Sequence, residues 1–188
     1  LDLAAWAACG DPVFSLKDTA PPAVYAPPRL DAPPVAAGGP GGDGVPVVEV
    51  VEHRRGAAWL AARVAELVER HCPGQPVGLD PAGPAGALIL ELEKAGVGVE
   101  PVDARSMAQA CGGLVAAVTA GRLRHRDEAA LNAAVDGAAR RPVGDGAWKW
   151  SRRDSAADVS PLVAATVAVH LVAGNTPAAD YDVLDSVH

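Results

Sequence analysis

The stretch that decides the fold lies near the end of the chain, where residues 148–154 read WKWSRRD and residues 158–166 read DVSPLVAAT. Ser160 is a favoured N-cap residue, Pro161 suits the first helical position, and an apolar run to Val172 follows. This pattern predicts a helix with Asp158 at its mouth, where backbone N–H groups and the helix dipole favour an anion. Acidic residues are common near helix starts, so Asp158 taken alone is most simply a capping residue.

A second carboxylate changes the interpretation. Residues 77–86 read VGLDPAGPAG, which predicts a short buried strand ending at Asp80, then a Gly/Pro turn and a helix over about Ala85 to Ala95. Ligands of open α/β sheets gather at the carboxyl ends of strands, at turns of this kind. The turn lacks the Lys-Ser/Thr that ends a Walker phosphate loop. The alternative for Asp80 is a solvated turn residue.

Strand-like and helix-like segments alternate along the rest of the chain. We expect strands at Val45–His53, Pro76–Leu79, Val97–Val102 and Gly146–Arg153, with a short extended piece at Arg122–His125. We expect helices at Ala57–His71, Ala85–Ala95, Ser106–Ala120, Glu128–Ala139 and Pro161–Val172. This alternation predicts an α/β sheet with helices on its faces.

Several short sequence motifs of this chain occur together in one known family. They are residues 50–56 VVEHRRG, 79–86 LDPAGPAG, 108–112 AQACG, 121–125 GRLRH, 141–145 RPVGD, 148–154 WKWSRRD and the helix start at Asp158. In their order and spacing, residues 45–172 resemble the C-terminal nuclease domain of tailed-phage large terminases, especially those of phages and prophages of actinobacteria. No single motif identifies the family; the order and spacing of all the motifs together make the resemblance specific.

The resemblance implies an RNase H-like α/β fold, with a mixed sheet and flanking helices, that cuts concatemeric double-stranded DNA. The family uses acidic residues that hold divalent metal, here one or two Mg²⁺ or Mn²⁺. Asp80 and Asp158 match two of these acids, and Asp18, at the end of the family's first strand, matches the third. The extra Lys17 would turn Asp18 to the opposite face unless a bulge absorbs it. Asp154 is a reserve metal ligand, four residues before Asp158.

The charge distribution gives a mixed signal for DNA binding. The net charge of −7 argues against a protein that holds DNA through its overall field. Basic residues nevertheless cluster, and they would form a phosphate track if they share a face. The candidate DNA contacts are Arg122, Arg124, Lys149, Arg152 and Arg153. Each cluster taken alone is more simply solvated surface charge. Trp148 and Trp150 share a strand face, where core packing is favoured over base stacking.

The domain boundaries follow from composition. Leu1–Cys9 has the apolar character of a helix, and residues 1–12 are predicted to end an upstream linker. Residues 13–173 are predicted to form the nuclease domain, and residues 174–188 to be a flexible tail. Eight of the seventeen prolines fall between Pro21 and Pro46, so residues 21–44 are predicted to be an irregular, exposed insert. Intact family patterns on both sides suggest that residues 17–44 were altered by compensating frame shifts, a hypothesis that the other two reading frames of the DNA would test.

Other features bound the function class. No apolar run reaches the roughly 18 residues of a membrane span, and neither a signal peptide nor a Cys-x-x-Cys pair is present among the residues given. Three widely spaced cysteines suggest reduced thiols in a cytoplasmic protein. The chain begins with Leu, which favours a fragment. The resemblance implies an upstream packaging ATPase domain, a portal and a small terminase subunit as partners, in the host cytoplasm during virion assembly.

Two rival functions remain open at this stage. The chain is alternatively a catalytically inactive or decayed prophage terminase domain with only a structural role, which the altered segment after Asp18 and the acidic balance favour. A Rossmann-like module that binds a small molecule is a more distant rival, because the glycine fingerprint of that class is missing. The discriminating observation is whether the carboxylates of Asp18, Asp80 and Asp158 converge.

Overall fold

A computed structural model describes residues 3–6, 35–40, 45–54 and 56–175. Its strands are β1 (Leu3–Trp6), β2 (Val35–Pro40), β3 (Pro46–Glu52), β4 (Val77–Leu79), β5 (Val99–Pro101), β6 (Arg124–His125), β7 (Ala139–Val143) and β8 (Ala147–Ser151). Its helices are α1 (Leu60–His71), α2 (Ile89–Lys94), α3 (Ala104–Thr119), α4 (Ala129–Asp136) and α5 (Ser160–Asn175), and a 3₁₀ turn over Pro84–Leu88 precedes α2.

The strands form two sheets. Six of them lie in the order β5-β4-β1-β2-β3-β6, and β7 and β8 form a separate antiparallel hairpin. The large sheet is mixed: β2 and β3 are antiparallel, as are β1 and β4, whereas the pairs β1–β2, β3–β6 and β4–β5 are parallel. The predicted mixed α/β class is therefore confirmed.

Helices cover both faces of the large sheet, and two hydrophobic cores result. One core joins α1, the 3₁₀ turn and α2 to β4, and its α1 members, Leu60, Val64, Leu67 and Val68, are the positions that helical spacing predicts. The other core joins α3, α4 and α5 to the opposite face. Helix α5 contacts β1, β2, β3 and β4, and its residues 160–168 are all buried. Such a helix is apolar all round because it has no solvent face there.

Strand β4 shows how the sequence divides these two cores. Val77 and Leu79 belong to the core under α1, while Gly78 faces α5, where Leu171 and Val167 leave no room for a side chain. Successive strand residues point to opposite faces. The residue two positions after Gly78 is Asp80, which therefore continues on the α5 side of the sheet.

The predicted irregular insert is partly wrong. Residues 35–40 form β2, which lies inside the large sheet between β1 and β3. The high proline density of residues 21–44 hides a proline-free run, Val35–Gly39, in which every backbone N–H can join a ladder. Pro40 falls at the end of the strand, opposite Pro46. The remaining residues of the insert lie outside the described ranges.

The predicted upstream linker also contains a strand. Leu3–Trp6 forms β1 inside the large sheet, where a helical look was expected, because short apolar runs do not distinguish the two structures. Helix α5 extends to Asn175, past the predicted start of the tail at residue 174. Residues 176–188, Lys17, Asp18 and Cys9 lie outside the described ranges. Cys72 and Cys111 are buried, and burial raises the pKa of the Cys111 thiol.

Within the described ranges, none of the helices combines the length and the apolar character needed to cross a membrane.

Replacing Gly78 by alanine tests the contact between β4 and α5. The new Cβ would lie 2.7 Å from Val167 Cγ1 and from Leu171 Cδ1, and valine has little rotamer freedom to withdraw. We expect Gly78→Ala to lower the free energy of unfolding by about 1–3 kcal/mol, measured by urea denaturation. Gly112→Ala is the control: it meets no atom within 4 Å on α3 and should raise stability by about 0.5–1 kcal/mol. Equal effects of both changes would contradict the packing described.

A candidate acidic and basic site between β4, β8 and α5

Asp80 is fixed at the end of β4 by the turn that follows it. Its side chain accepts a hydrogen bond from the Ala82 backbone N–H at 3.0 Å through Oδ1, and the residue is 7% exposed. The turn needs Gly86, because a Cβ there would lie 2.2 Å from the Pro81 carbonyl oxygen. The compact turn therefore holds the Asp80 carboxylate at the carboxyl end of the strand, on the side that faces α5.

Asp158 lies immediately before α5 and uses its two oxygens differently. Oδ1 accepts hydrogen bonds from the backbone N–H of Ser160 at 2.9 Å and from its hydroxyl at 2.5 Å, so the residue does stabilise the helix start. Oδ2 is buried and accepts no hydrogen bond from the described residues; His53 Nε2 lies 3.7 Å from it. Capping therefore accounts for one oxygen and leaves the other available to a cation.

Arg152 links the two carboxylates electrostatically. Its Nη1 lies 3.9 Å from Asp80 Oδ2, which is a long ion pair rather than a hydrogen bond. Desolvation lowers the pKa of Arg152 from its ordinary value, and the negative charge of Asp158 offsets part of this effect. The guanidinium therefore lies near Asp80, and the charge of Asp158 also acts on it.

A cavity of about 180 Å³ opens beside this guanidinium. Its charged lining consists of one acid, Asp80, and four cations, which are Arg141, Lys149, Arg152 and Arg153. Met107, Trp150, Ser151 and Val163 complete its wall. An excess of fixed positive charge in a concave, partly apolar site favours an anionic ligand such as a phosphate group.

The cations are held by the β7–β8 hairpin and the turn that ends it. Ser151 Oγ donates to Asp154 Oδ2 at 2.6 Å and accepts from the Asp154 backbone N–H at 3.1 Å, which closes the turn that carries Arg152 and Arg153. Buried Ser155 donates its hydroxyl to the Ser151 carbonyl and accepts from the Ala139 backbone N–H at 2.9 Å. This pair of bonds ties the turn back to β7.

Trp148 and Trp150 anchor the hairpin to the rest of the domain. Their rings meet edge to face with centroids 4.8 Å apart, and both pack against the core that contains α5. Trp150 Nε1 donates to Thr166 Oγ1 at 2.9 Å, and the Arg140 guanidinium lies over the Trp148 ring at 4.2 Å. The favoured packing role thus has direct contacts, and it fixes β8 relative to α5.

The remaining candidate residues either lie outside the cavity lining or have a structural role. Arg122 and Arg124 follow α3 and are not among the residues that line the cavity. Asp154, the reserve metal ligand, uses its Oδ2 to hold the turn at Ser151. Asp18 lies outside the described ranges, and within those ranges no group of three or more His, Cys, Asp or Glu side chains could hold a metal ion.

Neither His53 nor Arg141 is among the candidate site residues predicted from the sequence, although Arg140 and Arg141 form one of its basic clusters. His53 ends the stretch after β3 and shares no ligand spacing with another histidine, so no pattern marks it. Arg141 did leave a signal. The strand-like run 147–151 follows a Gly-Asp-Gly turn, which would pair it with residues 139–143 and set Arg141 opposite Lys149, as the register shows.

Comparison with known proteins adds a statement about the fold. No protein-family profile and no curated protein matches the chain. Among solved structures, the crystal structure of the HK97 bacteriophage large terminase matches with a TM-score of 0.58 and 16% sequence identity over 71% of this chain. The chain has a terminase-like fold. It spans 35% of the length of that terminase, so the similarity describes a part of the larger protein.

Removing the Ser155 hydroxyl tests the anchor of the cation-bearing turn. Ser155→Ala leaves the Ala139 N–H without its acceptor and the Ser151 carbonyl without its donor. We expect a loss of about 1–3 kcal/mol in the free energy of unfolding, measured by urea denaturation. Thr119→Ala, at an exposed position at the end of α3, is the control and should change stability by less than about 0.5 kcal/mol. Equal losses would show that the hydroxyl is not structural.

Proposed function

We propose that this chain is the nuclease part of a phage DNA-packaging terminase, an RNase H-like domain that cuts concatemeric double-stranded DNA with divalent metal. The observation that supports it best is the site itself: Asp80 and Asp158 act on one guanidinium beside a cavity lined by four cations, in a domain with a terminase-like fold. Acids to hold a metal and cations to hold phosphate are the two requirements of metal-assisted phosphodiester hydrolysis.

The donor set fits a hard divalent cation. Asp158 Oδ2 is a buried carboxylate oxygen with no hydrogen-bond donor among the described residues, and Asp80 Oδ2 lies 3.9 Å from Arg152 Nη1, too far for a hydrogen bond. Mg²⁺ and Mn²⁺ take oxygen ligands of this kind. Asp80, Asp158 and Asp18 would hold one or two ions, which when bound supply an activated water and stabilise the leaving oxygen.

The cations would hold the DNA. Arg141 and Lys149 lie opposite each other on β7 and β8, and Arg153 follows on the turn. Cationic side chains fix the register of a duplex through its phosphates without reading its sequence. In this proposal the phosphate contacts would lie beside the acids. Arg122 and Arg124 would extend the contact surface only if the duplex also reaches the end of α3.

A second candidate is an inactive terminase domain with a structural role. Two observations favour it: no described cluster of three metal-ligating side chains exists, and Arg152 already pairs with Asp80. The two functions differ in whether the unmodified chain cleaves DNA. In either case, an upstream packaging ATPase domain, a portal and a small terminase subunit would be the partners, and the host cytoplasm the location.

The acids are tested by substitution. Asp80→Asn and Asp158→Asn keep the side-chain shape but remove the charge that a hard cation requires, so nicking of plasmid DNA in Mn²⁺ should fall by at least about 100-fold, as when about 2.7 kcal/mol of transition-state stabilisation is lost. Asp136→Asn, at an exposed position of α4, should leave nicking unchanged. Thermal unfolding of all three checks that folding survives.

Asp18→Asn separates the two candidate functions. If Asp18 completes the metal site, this change should be as damaging as the other two, and EDTA should stop cleavage by the unmodified chain. An unmodified chain that shows no Mn²⁺-dependent cleavage would contradict the nuclease proposal and favour the inactive domain.

The cations are tested by DNA binding. Lys149→Gln and Arg153→Gln should each weaken binding of duplex DNA regardless of its sequence and reduce the salt dependence of the binding constant by about one charge. Fluorescence anisotropy at several salt concentrations measures both quantities. Arg70→Gln is the matched control, because Arg70 is exposed on α1 and pairs with Glu66. An equal effect of Arg70→Gln would mean that the cavity is not the DNA-binding surface.

A further inference from the structure

We propose that Arg152 is the resident cation of the acidic site: its guanidinium holds the Asp80 and Asp158 carboxylates in place before metal arrives, and a divalent ion must displace it to bind. This inference rests on the proposed function, because it concerns the same two acids. Arg152 is thereby a positioning residue that sets how tightly the site takes metal.

The Arg152 guanidinium lies beside the Asp80 carboxylate. Arg152 Nη1 lies 3.9 Å from Asp80 Oδ2. Gly83 borders this pair closely, since a Cβ at that position would lie 3.1 Å from Asp80 Oδ2 and 3.2 Å from Arg152 Nη2. The guanidinium therefore lies against the carboxylate oxygen that a metal would use, with the turn backbone behind it.

The negative charges of Asp80 and Asp158 explain why a cationic side chain is favoured here. Asp80 and Asp158 are mostly buried, with side chains 10% and 19% exposed, and partly buried like charges repel each other more strongly than charges in water. The positive charge of Arg152, which lies near Asp80 and is affected by Asp158, offsets this repulsion. A divalent ion would offset it more fully, but two cations in the same place repel each other, so the ion and Arg152 compete.

The turn allows the exchange. The side chain of Arg152 is 38% exposed, and the backbone of its turn is held by Ser151 and Asp154 rather than by the guanidinium. A displaced Arg152 would remain in the cavity with Lys149 and Arg153, where it could meet a phosphate group. Metal entry would then release one more cation for DNA.

Calorimetric titration with Mn²⁺ alone tests the inference on the full chain. The apparent affinity of a site that is open only part of the time is reduced by the open fraction. We expect Arg152→Gln to bind Mn²⁺ about three- to tenfold more tightly than the unmodified chain, if Arg152 closes the site most of the time. Arg152→Lys retains a cation and should stay closer to the unmodified chain.

Two further variants separate displacement from a general charge effect. Arg153→Gln removes a cation from the same cavity without touching an acid and should change Mn²⁺ affinity by less than about twofold, as expected for an exposed, screened charge. In an Asp80→Asn background, Arg152→Gln should give no gain. The metal-free Arg152→Gln chain should also unfold at a lower temperature than the unmodified chain, and Mn²⁺ should remove that difference.

The outcomes distinguish the two proposals. If the unmodified chain binds Mn²⁺, loses it in Asp80→Asn, and gains nothing from Arg152→Gln, the metal site stands and the role of Arg152 is wrong. An equal gain from Arg153→Gln would likewise overturn it. If neither the unmodified chain nor Arg152→Gln binds Mn²⁺, the metal site itself is wrong and both proposals fail.

Discussion

The packing of α5 across the large sheet is the constraint on which the rest of the structure depends. The first nine residues of this helix are buried, and it contacts four strands as well as α3 and α4. Gly78 allows the closest approach, where β4 meets Val167 and Leu171. Because the helix cannot shift along the sheet without losing this contact, its first turn has a fixed position relative to the end of β4. Asp158, just before that first turn, and Asp80, at that strand end, both act on the charge of Arg152, although 78 positions separate them in the sequence.

The second part of the site depends on the same helix through a different contact. Trp150 on β8 donates to Thr166 in the middle of α5, and the paired tryptophans fill the space between the hairpin and the core. The cations of the hairpin and its turn are therefore positioned by the element that positions Asp158. Helix α5 contacts both the strand that ends at Asp80 and the hairpin that carries the cations. The distance between the acids and the cations is therefore set by core packing rather than by the charges themselves. The long distance of 3.9 Å between Arg152 Nη1 and Asp80 Oδ2 is consistent with a separation set by packing and not by attraction between the two charges.

Much of this could be predicted from the sequence, where local chemistry decides. The N-cap residue predicts the start of α5, and the Gly/Pro turn predicts the end of the strand at Asp80. The helical spacing of apolar residues predicts the buried face of α1. All three signals lie in neighbouring residues. The strands near the start could not be found this way. A proline count over residues 21–44 averages away the proline-free run that forms β2, and Leu3–Trp6 is too short for its period to separate a strand from a helix. Those strands are recognised only through their pairing, which is non-local.

The site shows the same division. Asp80 and Asp158 are marked by their places at a strand end and a helix start. The ion pair of Arg152 with Asp80, the effect of the Asp158 charge on Arg152, and the approach of His53 to Asp158 join segments that no local pattern connects. Arg141 lies between these cases, because its place opposite Lys149 follows from the hairpin once the Gly-Asp-Gly turn is recognised.

The contrast between the whole chain and the cavity has a consequence for how a partner approaches. The chain carries a net charge of −7, yet four cations line one cavity. At long range a polyanion meets net repulsion, and attraction begins only within about a Debye length of the cavity, near 8 Å at physiological salt. On such a surface, a polyanion is attracted only in orientations that bring it close to the cavity, and it dissociates quickly from other orientations. For the proposed DNA partner, the negative charge of the rest of the chain would oppose other orientations, so that bound DNA would have its phosphates beside the carboxylates.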